Sequence, residues 1–458
     1  ENTVVAGALL AVGLVNANVR NECDPAYALL YDSVNKENTA VRIGAIMGLG
    51  MAYAGTCKED VQELLTPVVV DDSVPMEVAA FAAISLGLVF VGTCHQECAQ
   101  SVVQALMMRP ESDLEGPFGK MMCLGLGLLF LGKQAAVEAT LEVAKTLNPK
   151  VERYLAVVLD MCAYAGSGNV LKVQQMLAIC GEQIEVGDGE GWKVEHQSPA
   201  VLAIALIALG EELGGDMAIR AIEHLLQYGE PSVRKACPLA LALLATSNPK
   251  LVVTDTLSRL SHDTTEEVAQ AATLAIGLAA AGTNNARVAG MLRQLSSYYY
   301  KDPSLLFLVR VSQGLTHLGK GLLTLNPIHS DRGLLSDVSL AGLLVTAFCG
   351  TEMKATILGK HHYTLYYLAA AMQPRMFFTV DEEGKALPVS VRVGEAVDTV
   401  GQAGRPKSIT GFQTHTTPVL LATGDRAELA TEKYVPCSPL LEGVVVLRPN
   451  PDYEEEAA

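Results

Sequence analysis

Aromatic side chains are scarce: one Trp, 9 Phe and 14 Tyr in 458 residues. A core with so few large rings has to be assembled from Ala, Leu, Val and Gly at close range. Charge is also scarce, at 18% of residues, and positive charge most of all. Lys plus Arg number 33 against 50 Asp plus Glu, a formal charge of −17. Binding to nucleic acid needs a basic footprint, so that class is excluded. An acidic surface suits basic protein partners. No Walker A motif, HExxH, GxSxG or CxxC occurs. No uncharged run exceeds the 19 residues from Val78 to Gln96, and its polar end at Cys94-His95-Gln96 shortens it below a membrane span.

What remains is plentiful small apolar sequence. Half the residues are hydrophobic and the mean hydropathy is +0.28, which excludes a disordered chain. The ten cysteines mostly sit in Ala/Leu/Val/Gly runs, such as Met121-Met122-Cys123-Leu124-Gly125. They read as small buried hydrophobes in a reducing compartment. Cys94-His95-Gln96-Glu97-Cys98 has metal-ligand residue types but no second Cys/His pair near it, so it reads as structural. The chain begins Glu1-Asn2-Thr3, with no signal peptide, and enters an apolar run at once. It reads as starting inside an array, with further repeats expected upstream.

The apolar runs repeat. Gly48–Gly55, Leu86–Gly92, Leu124–Gly132, Met161–Gly166, Leu206–Gly210, Ile276–Gly282 and Gly314–Gly319 align on their last residue before a turn. The full set of anchors is 18, 55, 92, 132, 166, 210, 246, 282, 319 and 350, eight of them Gly, in steps of 31 to 44 residues. Gly, and Asn at 18, accept the left-handed conformation that ends a helix. Thr246 does not, so its helix must stop otherwise. A period near 37 with one helix stop per unit specifies paired helices stacked as a solenoid. One helix of each pair is amphipathic, as in Lys58–Val69 and Glu97–Met108. Its mate, as in Val78–Phe90, is apolar all round and has to be buried on every side. The expected fold is an all-α solenoid of about ten helix-pair repeats, strongly curved or toroidal, over residues 1–368.

The pattern breaks twice. Gly181–Gln197, with Gly187-Asp-Gly-Glu-Gly191 and Trp192, reads as a polar surface loop. From 369 to 458 the period shortens. Met376–Val380, Leu387–Val393 and Val419–Ala422 read as strands, with turns at Asp381–Gly384 and Thr423–Asp425, giving a small β-rich module with a solvated tail. Gly411–Leu421 reads as a loop leading into a strand.

No catalytic constellation emerges. Gly48-Leu-Gly50 and Gly125-Leu-Gly127 lie inside repeat helices with no strand before them, so they serve packing rather than dinucleotide binding. The neighbours His329-Ser330-Asp331 cannot face one another as a triad requires. His361-His362 lacks companion ligands. The chain is read as no enzyme, with no cofactor and no metal.

The repeat resembles the proteasome/cyclosome repeat family, found in the two large non-ATPase subunits of the proteasome regulatory particle. Non-repeat stretches resemble the smaller of the two: Cys162–Gln175, Gly282–Arg287, Gln313–Gly321, His329–Arg332, Ala371–Met376 and Gly411–Leu421. The chain is similar to that subunit's C-terminal half. The resemblance implies a scaffold of the proteasome base, in cytoplasm and nucleus, with no nucleic acid or membrane partner. It implies a toroid beside the AAA-ATPase subunits that docks ubiquitin chains, shuttle factors through their ubiquitin-like domains, and a deubiquitinase. The deubiquitinase surface is expected upstream of Glu1. The family's ubiquitin surface places acids at relative positions 0, 7 and 11 of an outer helix. Carried over, these are Glu97, Gln104 and Met108, with Asp60 and Glu63 alongside on the preceding amphipathic helix. Gln104 keeps hydrogen-bonding capacity. Met108 departs from the acidic pattern, and Met is adaptable at promiscuous surfaces. The family's long charged insert near Gly181–Gln197 is short here. The larger repeat subunit, or a solenoid scaffold without ubiquitin binding, is the alternative.

Overall fold

The computed structural model describes residues 1–19, 22–182, 196–330, 335–399 and 402–453. The chain opens with α1 (Asn2–Val15), the short α2 (Pro25–Leu30) and α3 (Thr39–Ala52). Outer and inner helices then alternate. Outer α4 (Glu59–Val70) precedes inner α5 (Met76–Val89), and outer α6 (Gln96–Met108) is followed by the one-turn α7 (Glu111–Leu114) and inner α8 (Pro117–Leu129). The short α9 (Glu138–Ala144) precedes inner α10 (Pro149–Ala163), and outer α11 (Val170–Cys180) precedes inner α12 (Gln197–Ile207). Next come outer α13 (Glu212–Tyr228), inner α14 (Pro231–Leu244), outer α15 (Leu251–Leu260), inner α16 (Glu266–Ala279), outer α17 (Ala286–Tyr298) and inner α18 (Pro303–Thr316). Helix α19 (Asp337–Thr351) and the one-turn α20 (Leu368–Ala371) complete the helices.

The inner helices form one row: α1, α3, α5, α8, α10, α12, α14, α16 and α18 each pack on the next. All twelve residues of α5 from Val78 to Val89 are buried, which is what an all-round apolar sequence requires. Close approach comes from missing side chains. A Cβ on Gly87 of α5 would lie 2.6 Å from the Gly125 carbonyl oxygen of α8, and one on Gly127 would lie 2.8 Å from Cys162 Sγ of α10. Ser hydroxyls add cross-helix bonds: Ser85 Oγ donates to Ile46 O (2.9 Å) and Ser312 Oγ to Thr273 O (2.8 Å).

Several turns after the inner helices share one chemistry. Gly55 and Gly92 are left-handed, with φ of 71° and 62°, where a Cβ would be strained. The N–H of Gly55 donates to Leu88 O (2.9 Å) and that of Cys57 to Val89 O (3.1 Å), both at the end of α5. One repeat on, Gly92 N–H donates to Leu128 O (3.0 Å) and Cys94 N–H to Leu129 O (2.9 Å). The intervening hydroxyls of Thr56 and Thr93 return to Tyr53 O and Phe90 O of their own helices (2.7 and 2.8 Å). Left-handed residues occupy the anchors 18, 55, 92, 132, 166, 210, 282 and 319. The other two expected anchors are corrected. Beside Thr246 the left-handed residue is Ser247, with φ 53°, whose N–H reaches Leu278 O (3.1 Å). Gly350 is no stop: it lies inside α19, where a Cβ would meet Leu239 Cδ1 at 2.9 Å.

Helix α19, buried from Ser339 to Thr351, contacts α5, α8, α12 and α14. Just past its end, Glu352 accepts from Lys120 of α8 (3.1 Å) and Lys235 of α14 (3.0 Å). Burial pushes the Glu352 carboxyl up, and the two ammonium groups outweigh that and hold it below its ordinary range. Gln197, expected in the polar loop, is instead fully buried at the start of α12. Its Nε2 donates to Ile179 O and Glu182 O (3.1 and 3.0 Å), and its Oε1 accepts from Ser232 Oγ (3.0 Å). Residues 183–195, Trp192 among them, lie outside the described residues, as does the tail from 454.

Strand β1 (Leu323–Thr324) pairs antiparallel with β2 (Gln373–Pro374). Strands β3 (Met376–Val380), β4 (Ser390–Thr399), β5 (Gln402–Thr416), β6 (Val419–Leu420), β7 (Asp425–Leu429), β8 (Tyr434–Pro436) and β9 (Val444–Pro449) follow. They make two sheets, ordered β6-β3-β9-β8 and β5-β4-β7, with β3 and β9 parallel. Phe377, Val391, Val393, Ala427, Val445 and Leu447 form their separate core. Gly411–Thr416 is not the expected loop but the end of β5, paired with β4; polar β-branched residues suit a strand exposed on both faces. Glu442 ties this module to the loop after β1, accepting from Ser330 N–H (2.6 Å) and Ser330 Oγ (2.8 Å), with His329 Nδ1 at 3.7 Å.

Two outcomes are expected. Gly127→Leu drives a side chain into Cys162 and lowers stability by roughly 1–3 kcal/mol, read from the denaturant midpoint. Glu352→Gln strands two lysines and costs about 1–3 kcal/mol at pH 7. A carboxyl held low when folded stabilises above its unfolded pKa, and that contribution fades as pH falls through the folded value. The gap between the variant and wild type should therefore narrow below about pH 4.

Candidate protein-docking surface

Outer helices α4 and α6 lie side by side. Both are amphipathic, and both bury Val/Leu/Ala stripes: Val61, Leu64, Leu65 and Val68 on α4, and Cys98, Ala99, Val102, Ala105 and Leu106 on α6. The polar remainder of each faces outward. Asp60 and Glu63 of α4 are exposed, as are Glu97, Gln104 and Met108 of α6. The two helices are joined across the surface by Gln62 Nε2, which donates to Glu97 Oε2 (2.8 Å). Spacings of 7 and 11 keep Glu97, Gln104 and Met108 on one stripe, and Gln104 Nε2 lies 3.8 Å from Met108 Sδ.

Local sequence sets this geometry. His95 caps α6, its Nδ1 accepting from Cys98 N–H (3.3 Å), so the metal-like cluster builds a helix start. At the other end Arg109 is buried and donates to Val74 O (3.0 Å) and Asp71 O (2.9 Å), fixing α6 to the connection between α4 and α5. Lys58, at the head of α4, pairs with Asp24 and with Asp60 (3.7 Å) and sits 4.8 and 4.6 Å from the ring centres of Tyr27 and Tyr53. Its charge is therefore compensated within the chain, and the outward face stays acidic. Two features escaped the sequence reading. Glu59 is exposed at the first position of α4, beside Asp60. Met107 is exposed next to Met108, at 48% and 55%. The Glu59-Asp60 doublet and the Met107-Met108 doublet were the available signals.

Burial pushes the Cys98 thiol up to about 12 and the Cys94 thiol up as well. Among the described residues, no group of three His, Cys, Asp or Glu side chains is placed to hold a metal. No helix among them is long and apolar enough to cross a membrane. Of the sequence triad types, Ser330 and His329 converge on Glu442 rather than on each other, and 331 lies outside the described residues. Buried His361 packs against Phe81 and Phe118 and bonds Tyr363.

The model of the proteasome/cyclosome repeat matches residues 44–78 and 271–305. The model of the C-terminal region of the 26S proteasome non-ATPase regulatory subunit RPN1 matches residues 400–453. Among curated proteins, the chain is 60% identical over 456 residues to 26S proteasome non-ATPase regulatory subunit 2 homolog A of Arabidopsis thaliana, covering 100% of this chain and 50% of that protein. It is 50% identical to 26S proteasome non-ATPase regulatory subunit 2 of Dictyostelium discoideum, covering 97% and 49%. It is 48% identical to 26S proteasome regulatory subunit rpn1 of Schizosaccharomyces pombe, covering 100% and 51%. The chain spans about half the length of the curated relatives it matches.

The thiols test the burial pattern. With a disulfide reagent at pH 8, the exposed Cys23, Cys57 and Cys437 should react first and the half-buried Cys94 slowly. Cys98, Cys123, Cys162, Cys180, Cys237 and Cys349 should react only after denaturation. Rapid labelling of Cys98 would contradict the packing of α6.

Proposed function

The chain belongs to the proteasome/cyclosome repeat family of 26S proteasome non-ATPase regulatory subunits, and from that footing we propose that it is a non-catalytic scaffold of the regulatory particle base. In this reading the row of inner helices curves around α19 into a toroid. Contact of α19 with α5, α8, α12 and α14, and the Lys120–Glu352–Lys235 tie between α8 and α14, support the curvature. In this reading residues 1–368 form the helical unit and 369–458 the β-rich module; the separate cores support two units, with α20 across the boundary and Ala371 in the helical core. Its partners are AAA-ATPase subunits, ubiquitin chains, ubiquitin-like domains of shuttle factors and a deubiquitinase, and it works in cytoplasm and nucleus.

One observation carries the docking role. Two adjacent outer helices, joined through Gln62 and Glu97, offer Asp60, Glu63 and Glu97 next to exposed Gln104, Met107 and Met108. Carboxylates beside apolar side chains complement the basic rim and apolar patch of ubiquitin. Met108 favours a second reading: with an acid lost from the family stripe, the chain would scaffold the particle without binding ubiquitin.

An NMR titration of labelled ubiquitin with the chain separates the two. Shifts around ubiquitin's apolar patch are expected, with affinity falling at least about tenfold in Glu97→Arg, since a reversed charge opposes the basic rim. Shifts unchanged by the substitution would move the site elsewhere. No shifts with wild type would leave the scaffold alone.

A further inference from the structure

Charge is unevenly placed along the chain. From Ala286 to Leu322 there are five Lys or Arg and a single acid, Asp302, where the whole chain carries 33 against 50. This stretch comprises outer helix α17, inner helix α18 and the turn that follows each. Arg293, Lys301, Arg310 and Lys320 are exposed, and among the described residues none of the four has a carboxylate partner. The acids near them are already engaged. Asp255 of α15 pairs with Arg287 (2.7 Å), and Asp263 pairs with Arg234 (3.1 Å). Asp302 caps α18, accepting from the Ser304 and Leu305 N–H groups (2.9 and 3.1 Å).

The free cations share one surface. Asn284 Nδ2, just before α17, donates to Lys320 O (3.0 Å), which sets the turn after α18 against the start of α17. Gln313 accepts from Arg310 (2.9 Å) and donates to Leu292 O of α17 (3.3 Å), so Arg310 lies beside the residue that precedes Arg293. Lys301 stands at the far end, after Tyr298-Tyr299-Tyr300. Tyr299 anchors that end, its hydroxyl donating to Ser261 O (2.6 Å). Tyr298 and Tyr300 are each 65% exposed, in a chain with few aromatics to spare. Helix α18 ends the inner row, and its stripe of Pro303, Phe307, Arg310 and Gly314 is open.

These charges select the occupant. Unpaired cations around exposed Tyr and Phe are complemented by carboxylates next to an apolar side chain. The 13 residues of α17 make the patch about 20 Å long. Outside it the chain is acidic, at −17 in all. A phosphate backbone or an anionic bilayer extends past the patch into that acidity, and a second copy brings its own −17. A short acidic segment stays within it. We propose that this basic face of α17 and α18 docks an acidic segment of a partner protein, with an aromatic or aliphatic side chain among its Asp and Glu. The proposal takes from the scaffold reading only that the occupant is another protein chain.

The test follows Tyr298 and Tyr300 by fluorine NMR in the fluorotyrosine-labelled 458-residue chain, each resonance assigned by its Tyr→Phe variant. The probes are a synthetic Glu/Leu peptide of about a dozen residues and its Lys/Leu counterpart. Saturable shifts with the Glu/Leu peptide are expected, with affinity at least about tenfold lower for the Lys/Leu peptide and in Arg293→Glu/Arg310→Glu. Both substituted residues are exposed, and an unchanged melting midpoint checks the fold; the milder Arg293→Gln/Arg310→Gln serves if it drops. Unmoved Tyr298 and Tyr300, an equal response to both peptides, or affinity unaltered by the substitutions would overturn the proposal. So would shifts that grow with chain concentration alone, or a response to single-stranded RNA or phosphatidylserine vesicles as strong as that to the peptide. Ubiquitin binding is read in labelled ubiquitin, so failure there and failure at Tyr298 are separate results.

Discussion

Backbone hydrogen bonds from a turn to the next inner helix, paired at four of the turns, hold the array in register. The last carbonyls of a helix have no partner within it, and buried they would each be costly. Here the N–H groups of the following residues of the previous turn supply the partner: Gly55 and Cys57 for α5, Gly92 and Cys94 for α8, Gly282 and Asn284 for α18. A turn can aim two N–H groups forward only if its backbone goes left-handed, so Gly recurs there. The second left-handed residue of a turn is not restricted to Gly: Cys57, Cys94 and Asn284 take it, with φ of 56°, 56° and 51°. Where the bonds form, one repeat completes its neighbour's helix, so those units are not satisfied alone.

From that constraint the packing follows. Carbonyls and N–H groups meet only if inner helices approach closely, which removes side chains at Gly87, Gly125 and Gly127 and leaves little room for aromatic rings. The tight row presents a second apolar face, and α19, apolar all round, fills it. A charged side chain enters this interior only in company. Glu352 is held by two lysines from helices far apart in the row, so the pair links α8 to α14 through the end of α19. Breaking such a group leaves unpaired charge, which is why it specifies arrangement more than it adds stability.

The outer helices carry what the inner ones cannot. Their inward stripes are used up by packing, and their outward faces are free to differ from repeat to repeat. The outward faces of α4 and α6 are acidic, whereas α11 and α15 open on exposed aliphatic residues, Val170-Leu171 and Leu251-Val252.

The amino-acid sequence determined the repeat, the helix pairing, which helices are buried, and most helix stops, because each depends on local patterns: a 37-residue period, an all-round apolar run, a left-handed residue. The stripe Glu97–Gln104–Met108 was legible for the same reason, since spacing on a helix is local. Only the tertiary structure decided what depends on distant partners. Gly350 looked like another left-handed stop, yet it lies within the last turn of α19 without positive φ, and Leu239 packs where its Cβ would be. Gln197 looked like loop, yet Ile179, Glu182 and Ser232 satisfy it in the interior. Gly411–Thr416 looked like loop because β5 is exposed on both faces and lacks the alternation of a half-buried strand. The joining of α4 to α6 through Gln62 and Glu97, and of Glu442 to Ser330, spans 35 and 112 positions. Local periodicity carries no information about contacts at such separations.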